Sequence, residues 1–274
     1  MDKIDKFIRK VKVESGYRKF VNHDIIDLLS NYFNGNYKKE QYHSTIDNPL
    51  DIALQFYKEY NYEYYNLILN GIKSKDIIID TEITKSYVNT SNSKAYIKLN
   101  KNDADIFMLV HEFAHFIDKQ SVPHIIPDNY WFFSETFAFY FEKQLELWLD
   151  NDKYKDLILE RRNNRMFFES RMMKAINYQL YYEDLYKSNG DIKESDIDLE
   201  QMNFIMRYDT DGNTVNYLLQ YPIANILSET LVKNNLLSDE KEFVSTCLNI
   251  DLYGLLDNKF PHQSSITKKA TIFK

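Results

Sequence analysis

Residues 106–118 read Ile-Phe-Met-Leu-Val-His-Glu-Phe-Ala-His-Phe-Ile-Asp. Nearly every position around the two histidines and the glutamate is apolar, and no turn former interrupts them. The stretch therefore predicts a buried helix, over residues 103–119. On a helix His111 and His115 stand one turn apart and project from the same face. Two imidazoles so placed suit one Zn²⁺, each about 2.0–2.1 Å from the metal. Glu112 adjoins the pair as the candidate general base, in reach of a water at the metal. Coincidence is a poor explanation. With 6 His and 17 Glu in 274 residues, about 0.01 such matches arise by chance. Three polar groups in so apolar a helix also need a partner to offset their desolvation.

A catalytic zinc takes a third protein ligand and keeps a fourth position open. The metzincin continuation fails, because Asp118 and Ser121 occupy the positions where it has Gly and His. A glutamate on a second helix is the other solution. Residues 131–149, Trp-Phe-Phe-Ser-Glu-Thr-Phe-Ala-Phe-Tyr-Phe-Glu-Lys-Gln-Leu-Glu-Leu-Trp-Leu, predict such a helix, and Glu135 is the only acid in its first two turns. The intervening Pro123 and Pro127 suit a loop that lets the chain return. Glu135 is thus the expected third ligand, with Asp118, Asp128 and His124 as competitors. Glu142, on the same helix face as Glu135, and Asp118 are candidate hydrogen-bond acceptors for a ligand histidine.

Outward from the zinc helix the pattern changes. Asp76-Ile-Ile-Ile-Asp80 and the roughly alternating Lys94-Ala-Tyr-Ile-Lys-Leu99 flank a turn-like Asn89–Ser93. They predict a small antiparallel sheet over residues 76–100, packed on the zinc helix. Residues 94–99 are expected to be an edge strand for substrate backbone, with Tyr96 or Ile97 lining the cleft. The alternative is an inner strand paired on both sides. Residues 3–34 carry helical spacing that Gly35 ends, and residues 50–70 predict one amphipathic helix stopped at Gly71. After Asn102 the spacing stays helical to about residue 256, with breaks at 123–129, 151, 189–190, 209–213 and 234–239. The expected organisation is a helical region 1–75, a catalytic region 76–256 and a tail 257–274, in one compact domain with two lobes.

Composition bounds the alternatives. Gly and Pro together number 11 of 274, about 4% against an ordinary 12%. That argues against a sandwich or barrel and for a mostly α (α+β) fold. The formal charge of −7 argues against nucleic-acid or anionic-membrane partners. Arg161, Arg162, Arg165 and Arg171 are interleaved with Met166, Phe167 and Phe168, but Glu160 and Glu169 dilute them, so a solvated helix face is expected. Cys247 is the only cysteine, so no intrachain disulfide forms. No secretory leader and no apolar run of about 18 residues is present, which predicts a cytoplasmic protein; export without such a signal remains open. His23, His43 and His262 read as surface or loop residues. Tyr178, Tyr181, Tyr182 and Tyr186 read as core or cleft wall.

His111-Glu-Phe-Ala-His-Phe-Ile-Asp118 followed by Phe133-Ser-Glu-Thr-Phe-Ala-Phe-Tyr-Phe-Glu142 resembles the gluzincin metallopeptidases, nearest the thimet oligopeptidase / oligoendopeptidase F group. Tyr217-Leu-Leu-Gln-Tyr-Pro-Ile-Ala-Asn-Ile-Leu-Ser-Glu-Thr-Leu231 resembles the tyrosine-bearing helix of that group. The resemblance spans roughly residues 90–235 and is specific at the zinc motif. It implies a zincin-like fold and zinc-dependent hydrolysis of peptide bonds in oligopeptides or a protein target. By it, Glu112 is the base and Tyr217 or Tyr221 stabilises the oxyanion. Two departures stand: residues 207–216 hold no His, and the chain is much shorter than the group's. Other readings are a dedicated single-target protease of a mobile element or effector type, or a zinc-stabilised interaction module. Glu112 discriminates against the last, which has no need of a base.

Overall fold

The computed structural model describes residues 3–15, 23–89, 92–121, 130–149, 153–208 and 214–234. Their backbone is mostly helical, as the scarcity of Gly and Pro requires, and it divides into two units interleaved along the chain. Of the described residues, the first takes 3–15, 23–37, 165–208 and 214–223; the second takes 38–89, 92–121, 130–149, 153–164 and 224–234.

In the first unit, α1 (Lys3–Glu14) and α2 (His23–Tyr32) join the greater part of α7 (Lys155–Lys187), α8 (Leu199–Arg207) and the start of α9 (Thr214–Asn234). Apolar residues at helical spacing build its core. Phe7, wholly buried, stacks on Tyr178 and meets Tyr182 edge-on, both at 5.9 Å. At the end of α1 the buried Glu14 accepts from Thr214 N at 3.1 Å and Thr214 Oγ1 at 2.9 Å. A carboxylate there meets the free N–H groups and the positive dipole end of α9. Tyr182 is therefore a core residue and Tyr178 is half-buried against it, whereas Tyr181 is exposed.

The second unit contains α3 (Pro49–Tyr60), α4 (Tyr62–Ser74), a three-stranded sheet, α5 (Asp105–Ser121), α6 (Tyr130–Trp148), the first turns of α7 and the end of α9. The single helix expected over 50–70 is two. Asn61 breaks it: its extended backbone (φ −154°, ψ 111°) closes α3, and its side chain accepts from Glu63 N and Tyr64 N to open α4. An Asn side chain competing for backbone N–H groups favours such a cap over helix interior. Gly71 is not the stop either, since α4 runs on to Ser74 and Lys75 takes the left-handed cap (φ 64°). Gly71 serves close approach: a Cβ there would lie 2.8 Å from Phe116 Cζ and 2.9 Å from Ile77 Cδ1.

The sheet corrects the expected topology. β1 (Ile77–Asp80), β2 (Tyr87–Val88) and β3 (Ala95–Lys98) lie in the order β1-β3-β2. β3 pairs parallel with β1 and antiparallel with β2, so the sheet is mixed rather than antiparallel. Residues 94–99 are consequently not an edge strand; β3 is central, and the alternative stated above holds. Ala95 and Ile97 are buried, and β3 packs on α5. Tyr96 instead stacks on Tyr87 at 4.9 Å.

α5 and α6 lie together at the centre of the unit. The run Phe137-Ala-Phe-Tyr-Phe141 is buried at every position, as befits a helix covered all round. Tyr57 links three helices. Its ring lies 6.2 Å from Phe113 and 5.4 Å from Phe141, and its hydroxyl donates to Val110 O at 2.9 Å. Each such aromatic pair contributes about 0.5–1.5 kcal/mol beyond burial. α7 ends at Lys187, next to the break predicted at 189–190, whereas the breaks predicted at 123–129, 151, 209–213 and 234–239 fall at or outside the limits of the described residues. Among the described residues no helix is long and apolar enough to cross a membrane.

Candidate metal centre

α5 is fixed at its start by two buried acids. Asp105 accepts from Asn100 N and Lys101 N, each at 2.8 Å, and holds the preceding turn. Asp103 accepts from Thr45 N at 2.8 Å and Ile46 N at 2.9 Å, tying the 43–46 segment to the same helix end. Two turns further on, His111 and His115 project together toward α6, which presents Glu135.

His111 Nε2 and His115 Nε2 are 3.0 Å apart. The Glu135 carboxylate oxygens lie 3.6 Å from the first and 3.7 Å from the second. These three residues form a group whose ligand atoms could hold a metal ion. A tetrahedral ion at about 2.0–2.1 Å from each ligand separates any two ligand atoms by about 3.3–3.4 Å. The observed separations, those to Glu135 running to Oε2 from His111 and to Oε1 from His115, bracket that length. Each side chain keeps 12–14% of its surface exposed, so the triad is open on one side.

Proton bookkeeping makes the same point. His111 Nδ1 faces Glu142 Oε1 at 2.7 Å. An ionised carboxylate only accepts, so that nitrogen carries the hydrogen. His115 Nδ1 faces Ser134 Oγ at 2.9 Å, and Ser134 gives its own proton to Asp118 Oδ2 at 2.8 Å. Ser134 therefore accepts from His115 Nδ1–H. Both Nε2 atoms of the neutral rings are left as acceptors, and they converge with a carboxylate on one point. Three acceptors with no donor among them require a cation, either a proton or a metal ion. The charges respond accordingly. Burial pulls His111 down, but the hydrogen bond and charge of Glu142 outweigh it, and its pKa is raised. His115, buried beside His111 and Lys119, is held well below the ordinary histidine range.

Glu112 stays out of the triad. It is 6% exposed, and its Oε2 has no hydrogen-bond partner among the described residues. Burial pushes its pKa up to about 7, against the pull of His111 and with the push of Glu135 and Glu142. Such a carboxyl can take or give a proton near neutrality.

Asp118 is not one of the three converging residues; it is buried behind Ser134 and accepts from that hydroxyl rather than from a histidine directly, so it supports His115 only through Ser134. Asp128, His124 and His262 lie outside the described residues. Tyr217 and Tyr221 belong to the first unit, where their hydroxyls face each other at 3.1 Å on α9. The triad is complete without them. His23 begins α2, and His43 faces Glu160 at 3.3 Å beside a separate cleft of about 390 Å³.

The arginines differ from expectation. Arg162 pairs with Glu146 at 2.8 Å and is 60% exposed, as a solvated face requires. Arg161 instead turns inward to the wholly buried Glu142, with its Nε 2.9 Å from Oε2. The available signal was Glu142 itself, an acid amid buried aromatics that needs a counter-charge. Comparison with known proteins gives no neighbour to set beside this site: no family model, no curated protein and no solved structure matches the chain.

Proposed function

We propose that this chain is a zinc-dependent metallopeptidase of the gluzincin kind, hydrolysing peptide bonds in oligopeptides or in a protein target. The observation that carries the reading is the convergence of three acceptor-only ligand atoms beside a buried carboxyl that coordinates nothing. His111, His115 and Glu135 would hold the metal, and two nitrogens with one carboxylate oxygen suit zinc. Zinc supplies Lewis acidity, which polarises a carbonyl and acidifies water.

The chain's own groups do the rest. Glu142 and the Ser134–Asp118 pair hold both imidazoles with Nδ1 protonated and Nε2 free. Glu112 takes a proton from the attacking water at its unpartnered oxygen and returns it to the departing amine nitrogen. The peptide as substrate comes from the resemblance, as does the tyrosine expected at the oxyanion. A zinc-stabilised interaction module is the weaker reading. A site that only stabilises gains nothing from burying a carboxyl with an unsatisfied oxygen, which costs about 1–3 kcal/mol.

The test is metal analysis of the purified protein together with cleavage of a quenched peptide library. The expected result is about one zinc per chain, with cleavage lost to a chelator and restored by zinc. Bound zinc without cleavage of any peptide or unfolded protein supports the module instead. Absence of bound metal after zinc loading overturns both.

A further inference from the structure

We propose that Arg161 is a positioning residue for the metal centre: it holds Glu142 so that one carboxylate oxygen is reserved for His111. The inference rests on the reading of the triad as a zinc site. Glu142 is wholly buried on α6, and its two oxygens face different residues, Oε1 toward His111 and Oε2 toward Arg161. Oε2 takes both Arg161 bonds, from Nε at 2.9 Å and Nη2 at 2.5 Å. Oε1 is left to His111 Nδ1 at 2.7 Å.

The guanidinium is itself fixed. It lies over the Phe107 ring at 5.5 Å, one turn before His111 on α5. Burial alone would disfavour its charge, but Glu142 holds it firmly protonated. A fork of N–H donors reaches one oxygen in a single orientation, which a lysine ammonium cannot reproduce. The chain of contacts therefore runs from the first turns of α7, through α6, to the ring on α5. What it transmits is ring orientation and tautomer, the properties that decide where the Nε2 lone pair points. His115 has a different brace, the neutral Ser134 backed by Asp118. Among the described residues the two histidines are thus supported by different groups, and the arginine stands behind His111.

A merely structural ion pair would contribute to folding without touching zinc affinity, and the two roles separate in one experiment. Zinc affinity of the full chain is measured by competition with a chromophoric chelator, and thermal midpoints are measured in excess chelator. Arg161→Met strips a buried acid of its counter-charge and endangers the fold, so Arg161→Lys is the variant of choice. It is expected to weaken zinc binding about tenfold or more, within the range for lost outer partners of a metal ligand. Glu142→Gln is expected to weaken it by about 10- to 100-fold. The double variant should be no weaker than Glu142→Gln alone, because Arg161 acts through Glu142. Arg162→Lys, on the exposed side of the same helix, should match the wild type.

Wild-type zinc affinity in Arg161→Lys overturns the proposal. So do losses that add in the double variant, which would make Arg161 a packing residue over Phe107. If the wild-type chain binds no zinc, the reading of the triad falls first, and this inference falls with it. That outcome is distinct, because it appears before any variant is compared.

Discussion

Replacing Glu112 by Gln should make the metal-free protein more tolerant of alkaline pH while abolishing hydrolysis. Burial raises the Glu112 carboxyl from 4.5, its unperturbed value, to about 7. For a carboxyl raised on folding, the folded chain binds the proton more tightly than the unfolded chain. Its contribution to stability is therefore intact below pH 4.5 and lost as pH rises to about 7. The gap of about 2.5 units at 1.36 kcal/mol each amounts to about 3 kcal/mol, of which about 2 is lost between pH 5 and 7. The amide of Gln does not titrate. It brings its own unsatisfied N–H groups, but that cost is the same at every pH. Urea unfolding in excess chelator, at half-unit steps from pH 5 to 8, reads the difference directly. The wild type should lose about 2–3 kcal/mol relative to Glu112→Gln across that range. The variant should keep its zinc, because Glu112 is not a ligand, and lose cleavage by several orders of magnitude. Parallel pH profiles for the two proteins would refute the buried-base reasoning. Near-wild-type cleavage by Glu112→Gln would refute the mechanism.

Two further substitutions probe the support of the site. Ser134→Ala removes both the acceptor of His115 Nδ1–H and a donor to the buried Asp118; zinc affinity should fall about 10- to 100-fold, and an unchanged affinity in the chelator competition would refute the relay. Gly71→Ala gains up to about 1 kcal/mol of helix propensity. It also forces a methyl against Phe116 and Ile77 at 2.8–2.9 Å, which costs about 1–3 kcal/mol. Urea unfolding should show a net loss of about 1 kcal/mol, and a net gain would show that the packing there is slack.

The two histidines and Glu112 were legible in the sequence because their relation is local. Four residues on a helix place two rings on one face whatever surrounds them. Glu135 was legible for a related reason, as a lone early acid in an aromatic helix. Arg161 was not, because its partner is 19 residues away on another helix and the residues around it are charged enough to pass for surface. Asn61 was missed because the apolar spacing continues in step across it, and only its cap chemistry reveals the break. The pairing of β3 was missed because two short apolar segments joined by a turn-like loop resemble a hairpin. The intervening Tyr87–Val88, two residues long, is too short to register as a strand in any periodicity, yet it takes the antiparallel place.

That arrangement of strands has a consequence for how the protein keeps company with itself. A sheet edge is a row of spare donors and acceptors that another chain can copy, and long flat edges seed aggregates. Here the strand with the most buried apolar positions, β3, is sheltered between its neighbours. The outer positions go to β2, two residues long, and to β1, four residues long, ending on the exposed Asp80. A docking strand would find two to four residues of register on either side, and beside β1 it would meet a negative charge. Among the described residues the sheet is thus too short at its rims to serve as a template, and it offers another copy little to extend.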